Sequence, residues 1–399
     1  ATFSAITTAG MFLGALVGGI IGDKTGRRNA FILYEAIHIA SMVVGAFSPN
    51  MDFLIACRFV MGVGLGALLV TLFAGFTEYM PGRNRGTWSS RVSFIGNWSY
   101  PLCSLIAMGL TPLISAEWNW RVQLLIPAIL SLIATALAWR YFPESPRWLE
   151  SRGRYQEAEK VMRSIEEGVI RQTGKPLPPV VIADDGKAPQ AVPYSALLTG
   201  VLLKRVILGS CVLIAMNVVQ YTLINWLPTI FMTQGINLKD SIVLNTMSMF
   251  GAPFGIFIAM LVMDKIPRKT MGVGLLILIA VLGYIYSLQT SMLLITLIGF
   301  FLITFVYMYV CYASAVYVPE IWPTEAKLRG SGLANAVGRI SGIAAPYAVA
   351  VLLSSYGVTG VFILLGAVSI VVAIAIATIG IETKGVSVES LSIDAVANK

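Results

Sequence analysis

The chain has 399 residues, of which 57% are hydrophobic and 12% are charged. Soluble globular domains carry roughly 25% charged residues, so this composition excludes a soluble domain and indicates a membrane protein. The formal net charge of +8 comes from basic residues in alternate loops. It therefore reflects membrane topology and predicts no nucleic-acid partner.

Apolar segments long enough to cross about 30 Å of hydrocarbon recur along the chain. Several contain Gly or Pro, which membrane helices tolerate when neighbouring helices satisfy the backbone. The sequence predicts eleven transmembrane helices, at 3–21, 29–47, 52–77, 88–113, 121–141, 205–232, 241–263, 270–288, 291–318, 331–354 and 357–380.

The basic residues orient these helices. Arg121 and Lys239 are the only Lys or Arg residues in the loops on one side, and the loops on the other side carry nearly all the rest. Loops rich in Lys and Arg stay in the cytoplasm. We therefore expect residue 1 to face outward and the long break at 142–204 to be cytoplasmic.

A charged loop follows the first predicted helix and recurs in weaker form. Residues 19–28 read Gly-Ile-Ile-Gly-Asp-Lys-Thr-Gly-Arg-Arg, and residues 264–269 read Asp-Lys-Ile-Pro-Arg-Lys. An acid followed by a basic cluster at matching places in two apolar halves is typical of a duplicated transporter. The first copy resembles the signature loop of the major facilitator superfamily.

Further motifs narrow the resemblance. Residues 143–149, Pro-Glu-Ser-Pro-Arg-Trp-Leu, resemble the loop after the sixth helix of sugar porters, and residues 58–66 resemble their fourth-helix pattern. Residues 319–323, Pro-Glu-Ile-Trp-Pro, resemble the acidic motif that ends the fourth helix of sugar porters, repeated at the matching place in the second half. Residues 382–385 resemble the motif that closes the last helix, with Ile381 where the family usually has Pro. The chain is thus similar to sugar porters and metabolite:proton symporters over nearly its whole length.

The resemblance implies an all-α membrane protein with the major facilitator fold and two helical bundles. That fold has twelve helices, so the eleven predicted helices match family helices two to twelve and the first is expected to be missing. The expected domains are an N-terminal bundle at 1–141, a cytoplasmic linker with short helices at 142–204, a C-terminal bundle at 205–380 and a cytoplasmic tail at 381–399.

The charged residues of these motifs are expected at the cytoplasmic face. Charge-assisted pairs between the two halves would hold the inner side shut and separate when the halves move. The alternative is a set of topology-setting charges with little pairing, since single surface pairs contribute only about 0–1 kcal/mol. Repetition in both halves favours the gate, whose predicted members are Asp23, Arg27, Arg28, Glu78, Arg85, Glu144, Arg147, Glu320 and Arg329.

Two arginines lie inside apolar spans, where a charge costs roughly 2.5–3.5 kcal/mol on insertion scales. By the resemblance, Arg58 matches an arginine that faces an acid on the first helix of proton-coupled sugar porters, so it is predicted to serve proton coupling. The alternative is an arginine that extends outward to water. The only histidine, His38, follows Glu35 by three residues and could relay protons with it, although this helix is usually peripheral in the fold.

The second arginine, Arg339, follows Arg329 by ten residues, about 15 Å along a helix, which places it deep in the bilayer. Residues 338–346 resemble the eleventh helix of metabolite and organic-ion carriers. A buried guanidinium suits a carboxylate or another anionic group. Arg339 is therefore predicted to bind the substrate, with pairing to a backbone carbonyl or a glutamate as the alternative.

The seventh helix departs from the residue pattern that hexose carriers have there and offers other polar and aromatic side chains. Asn217, Tyr221 and Asn225 are four residues apart and share one face. The tenth helix supplies Tyr307, Tyr309, Tyr312 and Tyr317, and the fifth helix similarly supplies Asn97, Trp98 and Tyr100. We predict a cavity wall, with helix–helix packing as the alternative role of individual members. The predicted substrate-binding residues besides Arg339 are Asn217, Gln220, Tyr221, Asn225, Trp226, Asn97 and Tyr312.

These features predict a secondary active transporter that moves a small polar metabolite (a sugar, sugar acid or other organic acid) by proton-coupled alternating access. The alternatives are an uncoupled facilitator of a sugar or polyol, and a membrane metabolite sensor that does not transport. The sequence has no P-loop, Gly-x-Ser-x-Gly elbow or His-Glu-x-x-His motif, so no enzyme, cofactor or metal site is predicted. We expect a multi-pass, monomeric protein of the inner membrane whose partners are its substrate, protons and the bilayer.

Overall fold

The computed structural model describes residues 2–79, 85–174, 176–177, 193–263, 265–322 and 326–384. Over these ranges every regular element is helical, because a backbone in lipid must satisfy its own hydrogen bonds. The α-helices are α1 (Thr2–Thr25), α2 (Arg27–Ala46), α3 (Met51–Tyr79), α4 (Arg85–Asn97), α5 (Ser99–Leu110), α6 (Ala116–Tyr141), α7 (Pro146–Ser151), α8 (Tyr155–Thr173), α9 (Tyr194–Leu197), α10 (Gly200–Thr233), α11 (Leu238–Met249), α12 (Gly251–Val262), α13 (Arg268–Ser287), α14 (Met292–Cys311), α15 (Val318–Glu320) and α16 (Lys327–Ile379). A π-helical segment, Tyr312–Tyr317, joins α14 to α15.

The predicted helix census is roughly consistent with the structure. In the described ranges nine helical segments are long and apolar enough to cross a membrane. The last of them, Arg329–Ile379, is kinked at Gly357 (φ 65°, ψ −161°) and holds two of the predicted spans. The shorter helices α4 and α5 follow each other across Trp98 and together form the predicted span at 88–113. Every predicted span therefore corresponds to helix.

Backbone contacts divide the chain into two compact units. Over the described residues, unit 1 comprises Ala1–Ala5, Gly86–Asn119 and Pro189–Lys399, and unit 2 comprises Ile6–Arg85 and Trp120–Ala188. Unit 1 differs from the predicted C-terminal bundle because α5 packs against α11 and is grouped with it. The predicted bundle boundaries at 1–141 and 205–380 stay a prediction.

Small residues let α1 and α3 approach closely in unit 2. A Cβ added at Gly18 would lie 2.6 Å from the Cα atom of Ala67, and one added at Gly66 would lie 2.7 Å from the Cα atom of Met11. Association of helices in lipid depends on van der Waals contact, which small residues bring to the backbone itself. These glycines therefore position α3 and the arginine that it carries.

Large aromatic side chains fill the interior of unit 1. Tyr307, Tyr309, Tyr312, Tyr317 and Trp322 are each at most 1% exposed. The Tyr312 and Tyr317 rings are stacked, with centroids 5.0 Å apart, in the π-helical segment. Because π-helical turns are rare and interrupt the regular helix, this segment changes the direction in which the tyrosines project from family helix 10.

Candidate functional site

The charged motif at the start of α2 is held by Glu144. This residue follows α6, and its carboxylate accepts hydrogen bonds from the backbone N–H groups of Arg27 at 2.7 Å and Arg28 at 3.2 Å. The first N–H groups of a helix have no partner inside the helix, and the helix dipole favours a negative charge there. The Arg28 guanidinium also donates to the carbonyl of Trp139 in α6. Within unit 2, these bonds join the start of α2 to the end of α6.

Gly26 makes the contact with Glu144 possible. It precedes α2 with φ 95° and ψ 159°, a conformation that is nearly restricted to glycine. A Cβ at this position would lie 2.7 Å from the Cδ atom of Glu144. A side chain at position 26 would therefore both strain the backbone and displace the carboxylate.

Unit 1 repeats this arrangement at the start of α13. Glu382 follows α16, and its carboxylate accepts hydrogen bonds from the N–H groups of Arg268 at 2.8 Å, Lys269 at 3.2 Å and Lys384 at 3.1 Å. The residue before the helix is Pro267, with φ −56°. Glu144 and Glu382 thus each cap the helix that follows the charged loop in their own half of the chain.

The Arg268 side chain adds an ion pair to the cap in unit 1. Its Nε and Nη2 atoms lie 3.0 and 3.2 Å from the two carboxylate oxygens of Glu320, a two-bond fork. The guanidinium also donates to the carbonyl of Met263, and the Thr383 hydroxyl donates to Glu320 at 2.6 Å. These contacts join the end of α15, the start of α13 and the segment after α16.

Glu382 is held in its ionised form by this network. Partial burial raises its pKa, but the N–H groups of Arg268, Lys269 and Lys384, together with the positive charge of Arg268, lower it more. The pKa of Glu382 therefore lies below its ordinary value. The cap is charged at neutral pH.

The predicted gate residues are distributed between these networks. Arg27, Arg28 and Glu144 interact within unit 2, whereas Glu320 binds Arg268 within unit 1. Arg329 is half-buried near the start of α16. The side chains of the remaining members lie outside the described residues, namely Asp23, Glu78, Arg85 and Arg147. Pairs between the two halves stay a prediction.

Arg58, the predicted proton-coupling residue, lies half-buried on α3. It lines a small cavity in unit 2 with side chains of α2, α3 and α6, namely Ser41, Met42, Gly45, Leu54, Cys57, Met61 and Leu124. None of these lining residues is acidic. The cavity that Arg58 borders is therefore lined mainly by apolar side chains, with the Ser41 hydroxyl among them.

A polar and aromatic group of side chains comes together in unit 1. The rings of Tyr100 and Tyr307 are in edge-to-face contact, with centroids 5.1 Å apart. Both hydroxyls lie within interaction distance of Gln220 and Tyr221 on α10. The Tyr307 hydroxyl is buried and makes no hydrogen bond of ordinary geometry to a described residue. We call Tyr100, Gln220, Tyr221 and Tyr307 the polar-aromatic cluster.

Three other predicted substrate residues are buried or bonded within their own helix. Asn217 is 6% exposed, donates to the carbonyl of Leu213 at 2.7 Å and packs against Gly338 of α16. The Asn97 amide donates to the carbonyl of Ser93 on its own helix at 2.7 Å. Tyr312 is fully buried and lies against Gly272 of α13. Asn217 and Tyr312 are therefore packed between helices, whereas the Asn97 bond stays within its helix.

The last three predicted substrate residues differ in exposure. Asn225 is exposed, whereas Trp226 and Arg339 are half-buried. The indole Nε1 atom of Trp226 is itself buried and has no hydrogen-bond partner among the described residues. Because Gly338 contacts Leu213 and Asn217, Arg339 lies at the level of Asn217 on α10.

The sequence did not single out Ser104 and Asn245. The Asn245 amide donates to the Ser104 hydroxyl at 3.2 Å, and its buried carbonyl oxygen has no partner among the described residues. The sequence signal that could have identified Asn245 is that it is a lone amide in the apolar span at 241–263. Arg268 was also missed, because its partner Glu320 lies 52 residues away.

Comparisons with known proteins agree with this architecture. The chain is 44% identical over 394 residues to the inner membrane metabolite transport protein YdjE of Escherichia coli, covering 98% of this chain and 86% of that protein. It is 26% identical to the niacin transporter NiaP of Acinetobacter baylyi, over 96% of this chain and 85% of that one. A partially occluded, inward-open structure of the E. coli xylose transporter XylE superposes with a TM-score of 0.76 at 18% identity, covering 96% and 87%. XylE is also described as a proton:xylose symporter of the major facilitator superfamily.

The helices, the duplicated caps and this likeness define a multi-pass transport protein with the major facilitator fold. Residues 1–395 match the model of the family described as "Sugar (and other) transporter". The chain belongs to that family. It is an inner-membrane metabolite transporter and not an enzyme.

Proposed function

We propose that this transporter moves a small polar metabolite by alternating access and that a proton moves with the metabolite. The polar-aromatic cluster carries the proposal. Its tyrosines offer hydroxyls and ring edges, and Gln220 offers both a donor and an acceptor. The buried Tyr307 hydroxyl makes no hydrogen bond of ordinary geometry to a described residue, and a bound sugar or organic acid would supply one.

Arg339 supports an acidic group on the substrate. It lies about one helical turn from the level of Gln220. It makes no ion pair or hydrogen bond with a described residue. A deep guanidinium with donors to spare is suited to a carboxylate. The niacin carried by NiaP has a carboxylate, whereas the xylose carried by XylE does not. We therefore favour an organic acid or sugar acid over a neutral sugar.

Proton coupling is proposed on two grounds. Arg58 is a half-buried charge in a membrane span beside a small cavity, and intramembrane ionisable residues commonly serve proton or ion pathways. XylE, which shares the fold, is a proton symporter. The predicted cytoplasmic gate belongs to the same proposal: its charges would pair between the halves when the inner side is closed and separate when it opens.

Uptake into liposomes tests this function. The purified chain is reconstituted, and radiolabelled nicotinate, gluconate and D-xylose are supplied with an inward proton gradient or with a protonophore that collapses it. We expect accumulation of an acid only with the gradient. Arg339→Gln should lower that uptake about tenfold to hundredfold, because it removes a charge-assisted hydrogen bond. Arg339→Lys should also impair uptake, since the planar fork is lost.

A matched control is Arg163→Gln. Arg163 is exposed on α8 and pairs with Glu159 at 2.8 Å, so its loss should leave uptake unchanged. Uptake that is equal with and without the gradient would favour an uncoupled facilitator. Saturable binding without uptake would favour a sensor, and normal acid uptake by Arg339→Gln would exclude the arginine as the anion site.

A further inference from the structure

An acid and an imidazole lie near the middle of the α2 span. Helix α2 has 20 residues, about 30 Å of length. Glu35 and His38 lie roughly 12 and 16 Å along the axis from its first residue, Arg27. Both side chains are therefore far from either end of the span.

The two side chains face each other without a hydrogen bond. The Oε2 atom of Glu35 and the Nδ1 atom of His38 are 3.6 Å apart, and the side chains are 10% and 14% exposed. This distance is too long for a hydrogen bond, and neither atom has another partner among the described residues. Unpaired buried polar atoms are unfavourable. When the neutral imidazole carries its proton on Nε2, both Oε2 and Nδ1 are acceptors, and one added proton would join them in a charge-assisted hydrogen bond.

The helix that packs most closely on this site brings no charge to it. Helix α3 presents Gly64 at this level, where an added Cβ would lie 3.0 Å from the backbone nitrogen of His38. The described ionisable side chains of α3 are those of Asp52, Cys57 and Arg58. Arg58 lies six residues from Gly64, about 9 Å along the axis.

The other neighbouring helices carry their ionisable groups near their ends. Helix α1 contacts α2 through the Gly18 carbonyl, which accepts from the Tyr34 hydroxyl at 2.8 Å. The basic residue Lys24 lies at the end of α1, and the Asp23 side chain is outside the described residues. Helix α6 contacts α2 at Met42 through Ala128, and its ionisable residues in unit 2 are Arg121, Arg140 and Tyr141.

We propose that Glu35 and His38 form a proton-binding pair inside the membrane, separate from Arg58. Without the proton, the pair is a carboxylate beside a neutral imidazole, with a net charge of −1. A proton from water binds between Oε2 and Nδ1 and makes the pair neutral overall. Release returns the proton to water. The protonated pair is the form that apolar surroundings favour, because it carries no net charge.

The pair lies next to the cavity that contains Arg58. The Ser41 hydroxyl donates to the His38 carbonyl at 2.8 Å, and Ser41 lines that cavity. The pair and the cavity are therefore one helical turn apart on α2. Participation of the pair in coupled transport rests on the proposed function, whereas its binding of a proton does not.

The lone histidine makes the site directly observable. His38 is the only histidine in the chain, so a sample with ¹⁵N-labelled histidine and a tag without histidine gives one imidazole. We expect its Nδ1 signal, recorded in lipid nanodiscs between about pH 4 and 9, to show one protonation step. Glu35→Gln, which keeps the size and removes the charge, should change the midpoint of that step or abolish it.

The control for charge is Glu157→Gln. Glu157 is exposed and pairs with Arg154 at 2.6 Å in the same unit, so its loss should leave the His38 step unchanged. If Glu35→Gln does not fold, Glu35→Asp keeps the charge at a greater distance and should change the midpoint by less. A signal that does not respond to pH, or a step that neither Glu35 variant alters, overturns the proposal.

Uptake separates this inference from the proposed function. For His38→Gln in the liposome assay, we expect loss of gradient-driven accumulation of nicotinate, gluconate or D-xylose, with exchange of the same compound retained. A wild-type protein that shows the protonation step but ignores the gradient supports the proton site and contradicts proton coupling. Gradient-driven uptake by a protein whose His38 signal is insensitive to pH overturns the site and leaves the proposed function standing.

Discussion

The caps of α2 and α13 share one backbone arrangement and differ in their side chains. In both units an acid that follows the closing helix accepts hydrogen bonds from the first two N–H groups of the capped helix. In unit 2, Gly26 leaves room for Glu144, and Arg28 donates to a backbone carbonyl. In unit 1, Pro267 stands before the helix, and Arg268 forms an ion pair with Glu320.

This comparison shows that the acid that caps the helix start is present in both units, whereas the side chains around it differ. The helix dipole and the free N–H groups act on any helix start, so an acid at this place is useful in both units. The contacts of the arginine side chains depend on individual residues. We expect the charged fork between Arg268 and Glu320 to add stability beyond the backbone cap of α13.

The largest expected effect is that of Arg268→Ala. This change removes the fork to Glu320 and the bond to the Met263 carbonyl from a residue that is 6% exposed. We expect a loss of about 3 kcal/mol in the free energy of unfolding, because a partner charge is left without its counter-charge. Denaturant unfolding of the purified protein in detergent measures this. Arg28→Ala in unit 2 should cost about 1 kcal/mol, and equal losses would contradict the difference between the caps.

Gly26→Ala should come next. The new Cβ meets the Glu144 carboxylate, and the backbone at φ 95° is unfavourable for alanine. We expect a loss of about 2 kcal/mol, measured by the same unfolding assay. The matched change in unit 1 is Pro267→Ala, where φ is −56°, and it should alter stability by no more than about 0.5 kcal/mol. A tolerated alanine at position 26 would show that Glu144 caps α2 without needing this glycine.

The smallest expected effect is the pH dependence of the Glu382 cap. Since the pKa of Glu382 is lower in the folded protein than the ordinary value of 4.5, its stabilisation is fully present above that value. It is lost as the pH falls through the folded pKa. Glu382→Gln should cost about 1 kcal/mol at neutral pH and progressively less in acid. The difference in melting temperature between the two proteins at each pH measures this.

The control for that series is Glu166→Gln, which removes an exposed acid on α8. Its melting temperature should stay close to that of the wild type at neutral pH. A gap between wild type and Glu382→Gln that widens toward acid would contradict the sign assigned to the cap.

Much of the fold was predictable because membrane spans depend on local composition. A span needs about 20 apolar residues in succession, and this requirement can be read without knowing which helices touch. Every predicted span corresponds to helix, including the two in Arg329–Ile379 that are separated only by a kink at Gly357. The family was equally predictable from the sequence, since its motifs are short and continuous.

The candidate site was less predictable because it depends on side-chain direction. Asn217 and Tyr221 share a helix face, yet Asn217 packs against Gly338 while Tyr221 lies near Tyr100 and Tyr307. Spacing along one helix places a residue on a face but does not say which neighbour covers it. The π-helical segment at Tyr312–Tyr317 adds to the difficulty, because it shifts the register of its own tyrosines relative to Tyr307 and Tyr309.

The sequence by itself determined the number of membrane spans, the duplication and the family, because each rests on composition or on a short continuous motif. Only the tertiary structure decided which acid caps which helix: Glu144 and Arg27 are 117 residues apart, and Glu382 and Arg268 are 114 apart. It also decided that Glu35 and His38 face each other without an intervening partner among the described residues. Contacts of this kind depend on how helices pack, and packing in lipid is governed by shape across the whole interface.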